Sequence, residues 1–293
     1  MGIFKFANAS IRVNDLGQSL EFYRDIIGLH EIAKDNNTIY LGCGADKTYD
    51  IAIQQGGTGL SRFALQVKSD DDFSYFEKKL SAIGVSSERV SDPEPGKKAA
   101  LRFASPSNHQ IELVIVEDRP KYIHPTVNHL GSRGLGLLDA DHITVNTQDV
   151  KGFVEFLKAG LDFSISDVFE PAPGVWAAAW SHASDYHHDV AVIGTPDHTT
   201  MHHYAFQVNG MEDMKRAADL LAQAGYSIEV GPGRHRVGGN LFTYFLDPSG
   251  NRIELSAEMP RADHEISHKV WDNFPFAYSA WGQFPTESFG KGS

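Results

Sequence analysis

Three residues far apart in the chain, His142, His203 and Glu254, have side chains suited to holding one metal ion. Two neutral imidazoles and one carboxylate on a single face of a metal form the 2-His-1-carboxylate arrangement. That arrangement leaves neighbouring coordination positions open for a substrate and for O2. It is diagnostic of non-haem Fe(II) oxygenases, and Mn(II) fits the same ligands. Zinc held by two His and one Glu is the competing reading on ligand type alone. A lone strand histidine is ordinarily a surface or hydrogen-bonded residue, so the case rests on what brings the three together.

Each lies in a segment that alternates apolar and polar residues, and alternate residues of a strand point to opposite faces. In HITVN, Ile143 and Val145 share one face, and His142, Thr144 and Asn146 the other. In HYAFQV, Tyr204, Phe206 and Val208 oppose His203, Ala205 and Gln207. In RIELS, Ile253 and Leu255 oppose Arg252, Glu254 and Ser256. With the apolar faces packed on helices, the three candidate ligands project together into a concave side. The same phase puts His202 beside Tyr204, on the helix side or the rim. One residue of slip would reverse the choice between His202 and His203.

The elements that carry these strands recur four times. Strand starts read SIRVND at 10, RFALQV at 62, HITVNT at 142 and HYAFQV at 203. Helical spacing of apolar residues follows each, over 18–26, 71–83, 150–159 and 211–224. Gly28, Gly84, Gly160 and Gly225 stand near the helix ends as stop signals. The second and fourth segments close alike, on ALRFASPSNHQIELV and FTYFLDPSGNRIELS. The chain is therefore two copies of a double module. Domain boundaries are expected at 1–120, a Pro- and Gly-bearing linker at 121–137, a second domain at 138–262 and a tail at 263–293. Strand–helix–strands units of this kind favour an α+β architecture with helices on one face of each sheet.

The first copy provides an internal control. At its matching positions the sequence has Ser10, Arg62 and Glu112. Arg62 would put a cation where the metal belongs, paired with Glu112, so the N-terminal half is expected to bind no metal there.

Composition narrows the classes further. The chain has 293 residues, 41% hydrophobic and 22% charged, enough for two cores. A net charge of −12 with no basic stripe argues against nucleic acid and anionic lipid as partners. The single cysteine, Cys43, permits no internal disulfide and suits a reducing cytoplasm. The N-terminus shows no secretory signal pattern, and no run approaches the ~20 apolar residues of a membrane helix. A soluble, cytoplasmic protein is expected. Of fourteen histidines, those from His142 onward lie in the second half and its tail, so the halves are expected to do different work.

With these residues in place, the chain resembles the vicinal oxygen chelate superfamily, which takes in glyoxalases, bleomycin resistance proteins and dioxygenases. More narrowly, it resembles the two-domain type I extradiol catechol dioxygenases. The likeness covers nearly the whole chain. Its most specific stretch is GPGRHRVGGNLFTYFLDPSGNRIEL, where His235 follows Gly-Pro-Gly-Arg, Tyr244 comes nine residues later and Glu254 closes the run. YHHDVAV is similar to the family segment that sets a histidine before an aspartate and an apolar strand, here His188 before Asp189. In MHHYAFQV the second histidine is the ligand. Arg236, Gly238 and Gly239 depart from many relatives at the pocket mouth.

The resemblance implies two domains of paired βαβββ modules, each forming an open, incompletely closed barrel. It implies Fe(II) on His142, His203 and Glu254, and ring opening of a catechol by O2 beside its two hydroxyl carbons. His188 would be the acid–base residue, and His235 and Tyr244 would hydrogen-bond the substrate oxygens. A homo-oligomer is expected. His187 is read as a rim residue. Asp189 and Asp247 are read as turn residues and Arg252 as solvent-facing. Trp176 and Trp180 line or fill the pocket. The aromatic tail, with Trp271, Phe274, Phe276, Tyr278 and Trp281, is a lid or an oligomer contact. Without an evident Arg cluster for a carboxylate, an uncharged alkyl- or aryl-catechol is the expected substrate. Two-domain α-keto-acid dioxygenases share the three ligands but lack the His188, His235 and Tyr244 set. Glyoxalase-like isomerases use a fourth ligand. A metal-free ligand-binding protein would leave the His–His–Glu set unexplained.

Overall fold

The computed structural model describes residues 2–119, 130–131, 133–196 and 200–293. Most of the 121–137 stretch read as a linker lies outside the described residues. Among the described residues the strands form two mixed sheets. The first holds β1 (Lys5–Val13), β2 (His30–Lys34), β3 (Thr38–Gly42), β4 (Ile51–Gln55), β5 (Leu60–Gln66), β6 (Ser87–Ser91), β7 (Lys97–Ala104) and β8 (Gln110–Val116). Its order is β2-β3-β4-β1-β5-β8-β7-β6. The second holds β9 (Asp139–Thr147), β10 (Ser164–Phe169), β11 (Ala178–His182), β12 (Val190–Gly194), β13 (Met201–Gln207), β14 (Ile228–Arg234), β15 (Leu241–Leu246), β16 (Arg252–Ala257) and β17 (Lys269–Trp271). Its order is β14-β15-β16-β13-β9-β12-β11-β10-β17.

The helices are α1 (Leu16–Leu20), continued by a π-helical stretch Glu21–Ile27, then α2 (Asp70–Ala82), α3 (Val150–Leu161), α4 (Met211–Gln223) and a short α5 (Phe274–Tyr278). One helix follows each of β1, β5, β9 and β13, so the four repeats are four βαβββ modules. In each, the first strand pairs in parallel with the last: β1 with β4, β5 with β8, β9 with β12 and β13 with β16. Neighbouring modules join through antiparallel β1–β5 and β9–β13 pairs. This is the two-domain α+β fold the repeats imply.

Local chemistry starts and stops the helices. Asp15 and Asp149 accept from the backbone N–H three residues on, and Ser69 and Asp72 form a reciprocal capping box at α2. The expected single helix over 18–26 instead begins at Leu16 and widens to π form. There the N–H groups of Gly28 and Leu29 both return to the Tyr23 carbonyl. Gly28 has φ 97°, and a Cβ on it would lie 2.4 Å from the Arg133 carbonyl oxygen, so only glycine fits. Gly160 is not the expected stop signal. It lies inside α3 and lets α2 approach, a Cβ there being 3.1 Å from Leu80 and Ile83 side-chain atoms. Asp162, in left-handed conformation, ends that helix instead.

The apolar face of α3 buries Phe153, Val154, Leu157 and Leu161, each worth about 1.5–3 kcal/mol when fully buried. One contiguous core runs through both halves. Phe22 meets Tyr226 and Phe245, and Phe103 meets Phe156. With the apolar faces spent on this core, the opposite face of each sheet carries the polar residues.

Candidate metal centre and active site

The concave face of the second sheet brings the three candidate ligands together. His142 lies on β9, His203 on the adjacent β13 and Glu254 on β16 next to that, all buried. His142 Nε2 is 3.2 Å from His203 Nε2 and 3.2 Å from Glu254 Oε2, and His203 Nε2 is 3.0 Å from the same oxygen. Donors bound to one metal at ~2.1 Å with right-angle geometry stand ~3.0 Å apart, so these atoms can occupy one face of an octahedron.

The ring nitrogens are assigned by their partners. His202 Nε2 points to the Phe289 carbonyl at 2.7 Å and so carries its proton. Its Nδ1 then accepts from His203 Nδ1 at 2.7 Å, which leaves His203 Nε2 bare. His142 Nδ1 faces Asp141 Oδ2 at 3.3 Å, again leaving Nε2 for a metal. Asn240 Nδ2 donates to Glu254 Oε1 at 3.3 Å and turns Oε2 toward the imidazoles. Burial disfavours charge on His142, yet Glu254 with Asp141 outweighs it and raises His142 to about 9. Burial would also raise Glu254, but His142 and His203 hold it well below the usual carboxylate range. Burial lowers His203 to about 4, against the pull of Glu254. A buried carboxylate that draws a positive charge onto its neighbour is a site built for a cation.

A cavity of about 240 Å³ opens over the triad. His188, His235 and Tyr244 line it together with Thr144, Asn240 and His202. The His188 ring lies tilted against that of His142, ring centres 4.2 Å apart. Burial, then His142 and His187, push His188 well below the ordinary imidazole range, so it is neutral. His235 Nδ1 donates to the Tyr278 carbonyl at 2.8 Å, and its Nε2 accepts from the Tyr244 hydroxyl at 3.0 Å. Tyr244 sits directly opposite Glu254 in the β15–β16 register. The lining also includes apolar side chains, among them Phe169, Trp180, Ile193, Val237 and Phe274. Among the described residues neither Lys nor Arg lines it.

Several sequence expectations need correction. His202 is on neither the helix side nor the rim. Met201 pairs with Val145 and His203 with Thr144, so His202 is the extra residue of a β-bulge, turned into the cavity behind His203. His187 is buried, with Nε2 2.5 Å from Asp167 Oδ2. Arg252 does not face solvent. It pairs with Glu229 at 2.7 Å and donates to the carbonyls of His202, Ser288 and Lys291 under the tail. Asp189 and Asp247 hold turns as expected. Trp180 lines the cavity, while Trp176 packs at the edge of the core.

The N-terminal half has a different correction. Asp15 and Asp149, the matching helix caps, each stand seven residues after the position that counts, which makes Asn8, not Ser10, the counterpart of His142. A two-residue slip keeps the facing, so alternation alone could not detect it. Arg62 and Glu112 do match His203 and Glu254 in register. They approach to 3.2 Å as expected, but the central cation is Lys97. Its buried ammonium meets Glu112, and lies 2.6 Å from Tyr49 Oη, 3.0 Å from Glu94 and 3.3 Å from Asn8 Oδ1.

Alternation places Thr144 on the His142 face, but it does not reveal Asn240, Asp167 or the tail contacts. A carbonyl partner such as that of Tyr278 or Phe289 leaves no mark in residue type. Asn240, between Gly239 and a strand, was the most legible of them.

Residues 5–113 and 139–255 match the Glyoxalase/Bleomycin resistance protein/Dioxygenase superfamily, and the chain belongs to that family. Within it, the chain is an extradiol dioxygenase with a divalent-metal site of His–His–Glu type. It is 28% identical over 266 residues to a manganese-dependent 2,3-dihydroxybiphenyl 1,2-dioxygenase from Geobacillus genomosp. 3, covering 86% of this chain and 84% of that protein. It is 27% identical to a metapyrocatechase from Pseudomonas sp. (strain CF600), covering 87% and 86%. A variant of homoprotocatechuate 2,3-dioxygenase from B. fuscum superposes with a TM-score of 0.88 at 27% identity, over 100% of this chain and 82% of that one. Among the described residues no helix is long and apolar enough to cross a membrane.

Proposed function

We propose that this enzyme opens the ring of an uncharged alkyl- or aryl-substituted catechol, using Fe(II) held by His142, His203 and Glu254. The cavity supports this reading: beside the triad, His188, His235 and Tyr244 its lining is mostly apolar, and among the described residues neither Lys nor Arg lines it. A catechol placed diol-first against the triad sends its substituent toward Phe169, Ile193 and Val237. A carboxylated side chain would lie there without a countercharge, at a cost of several kcal/mol.

Bound at the triad, the divalent ion would supply open positions for the catechol oxygens and O2, and its charge would favour loss of the hydroxyl protons. The chain's own groups do the rest. His188, neutral and beside the triad, accepts a hydroxyl proton and later returns it. Tyr244, held by His235, lines the cavity, and its O–H, turned from His235 to a substrate oxygen, would orient that oxygen and stabilise charge on it. The apolar lining excludes water from the reacting ring. Mn(II) is the second reading, supported by the manganese-dependent relative.

The test is anaerobic loading with Fe(II) or Mn(II), followed by catechol, 3-methylcatechol, 2,3-dihydroxybiphenyl or 3,4-dihydroxyphenylacetate in air. Oxygen uptake with a yellow ring-opened product from the uncharged diols is expected, fastest with Fe(II). A preference for the carboxylated diol would overturn the substrate reading. Silence with every diol in metal-verified protein would overturn the reaction.

A further inference from the structure

Behind His188 runs a chain of hydrogen bonds that ring opening, as described, leaves unused. Trp271 Nε1 donates to Asp167 Oδ1 at 2.6 Å. Asp167 Oδ2 is 2.5 Å from His187 Nε2, and His187 Nδ1 is 2.9 Å from His188 Nδ1. All four residues are buried. The backbone of His187 is pinned as well, its N–H donating to the Pro260 carbonyl and its own carbonyl accepting from Ser166 Oγ.

Each bond has a direction. A carboxylate only accepts, so Asp167 holds a proton on His187 Nε2. With one ring proton there, His187 Nδ1 is an acceptor. Only one proton fits between the two facing Nδ1 atoms, and it therefore belongs to His188. A neutral His188 protonated at Nδ1 has a bare Nε2, the nitrogen left for the cavity that its ring lines. Without this chain either tautomer is open to it. The other tautomer would offer an N–H, which cannot take a proton from a substrate hydroxyl.

We propose that Asp167 and His187 are positioning residues that lock His188 as its Nδ1–H tautomer, so that a bare Nε2 meets the substrate. Its catalytic meaning rests on the proposed function, but the tautomer itself does not. Trp271 completes the device. Its indole N–H fixes which oxygen of Asp167 faces His187, and it joins the tail to the site.

The polarity can be reversed by a single isosteric change. In Asp167→Asn the Trp271 N–H still requires an oxygen at Oδ1, so the amide nitrogen faces His187. That donor moves the His187 proton to Nδ1 and forces His188 to the Nε2–H form. In His187→Gln the amide oxygen accepts from His188 and the NH2 group donates to Asp167, which preserves the direction. His187→Leu removes it.

The experiment uses full-length protein filled with Zn(II), whose closed shell keeps lines sharp, and ring-15N histidine read by long-range 1H–15N correlation. Parent and His187→Gln should show His188 protonated at Nδ1 and bare at Nε2, and Asp167→Asn should show the reverse. In Fe(II)-loaded enzyme, Asp167→Asn and His187→Leu should lower kcat by about 10–100-fold, as changes behind a metal site do, with KM little moved. His187→Gln should stay close to the parent. An Nε2–H tautomer in the parent, or an unchanged tautomer in Asp167→Asn, overturns the proposal. The expected tautomers in a protein that consumes no O2 with any diol would uphold the chain and reject ring opening instead.

Discussion

The two halves of this molecule solve the same electrostatic problem in different ways. In each, a strand glutamate at an equivalent position, Glu112 or Glu254, is buried on a concave face. A buried carboxylate without a countercharge is costly, so each site requires a cation. The N-terminal half supplies its own, with Lys97 at the centre and Arg62 and Arg102 beside it. The C-terminal half replaces Asn8 and Arg62 by His142 and His203. No fixed cation stands there: Glu254 draws a proton onto His142, and a metal ion that takes the proton's place would supply the countercharge. In one copy buried cations fill the concave face; in the other that face carries the His–His–Glu group.

Glu254→Ala should abolish metal retention and lower turnover by more than ~10³-fold, the scale of several kcal/mol of lost metal catalysis, in an oxygen-uptake assay. His188→Phe should leave metal content unchanged and lower turnover by about 10²–10³-fold, because it removes acid–base help but no ligand. Metal loss in that variant would make His188 a structural support.

Lys97→Met addresses the other half. It removes the central cation of Glu112 and leaves only Arg62 and Arg102 beside it, and should cost up to about 3 kcal/mol of stability, read by denaturant melts, with metal content of the folded protein unchanged. The sign with pH follows from Glu112. Burial would raise its pKa, but Lys97 and Arg62 bring it below the ordinary value. That stabilisation is present above the unfolded carboxylate value of ~4.3 and is lost as pH falls through the lowered one. In Lys97→Met the loss of stability below about pH 4.3 should therefore flatten. Tyr244→Phe sharpens the comparison least, with an expected ~10-fold loss in kcat and intact metal binding, since one hydrogen bond of the pair with His235 disappears.

Much of this was legible in the sequence, for physical reasons. Alternation fixes facing, so His142, His203 and Glu254 could be assigned to one surface before any geometry was known. The repeat showed four strand–helix–strands modules and marked the N-terminal half as the control. What alternation cannot see is register. The two-residue offset of Asn8 preserves facing, and the bulge at His202 breaks it without a glycine or proline to announce it. Lys97 was missed because its partners Asn8 and Tyr49 are distant in sequence and meet only through sheet order. The tail was least legible. Its strand β17 extends the second sheet beside β10, and Tyr278 and Phe289 act through main-chain carbonyls. Those contacts make it part of the site's wall, with Trp271 holding Asp167 from the same segment.

The most direct test of the contrast between the halves is the metal-to-chain ratio after anaerobic loading with Fe(II) and removal of excess, measured for the parent, Glu254→Ala and Lys97→Met. About one ion per chain is expected in the parent and in folded Lys97→Met, and none in Glu254→Ala. Two ions per chain in the parent, or one retained by Glu254→Ala, would contradict that contrast.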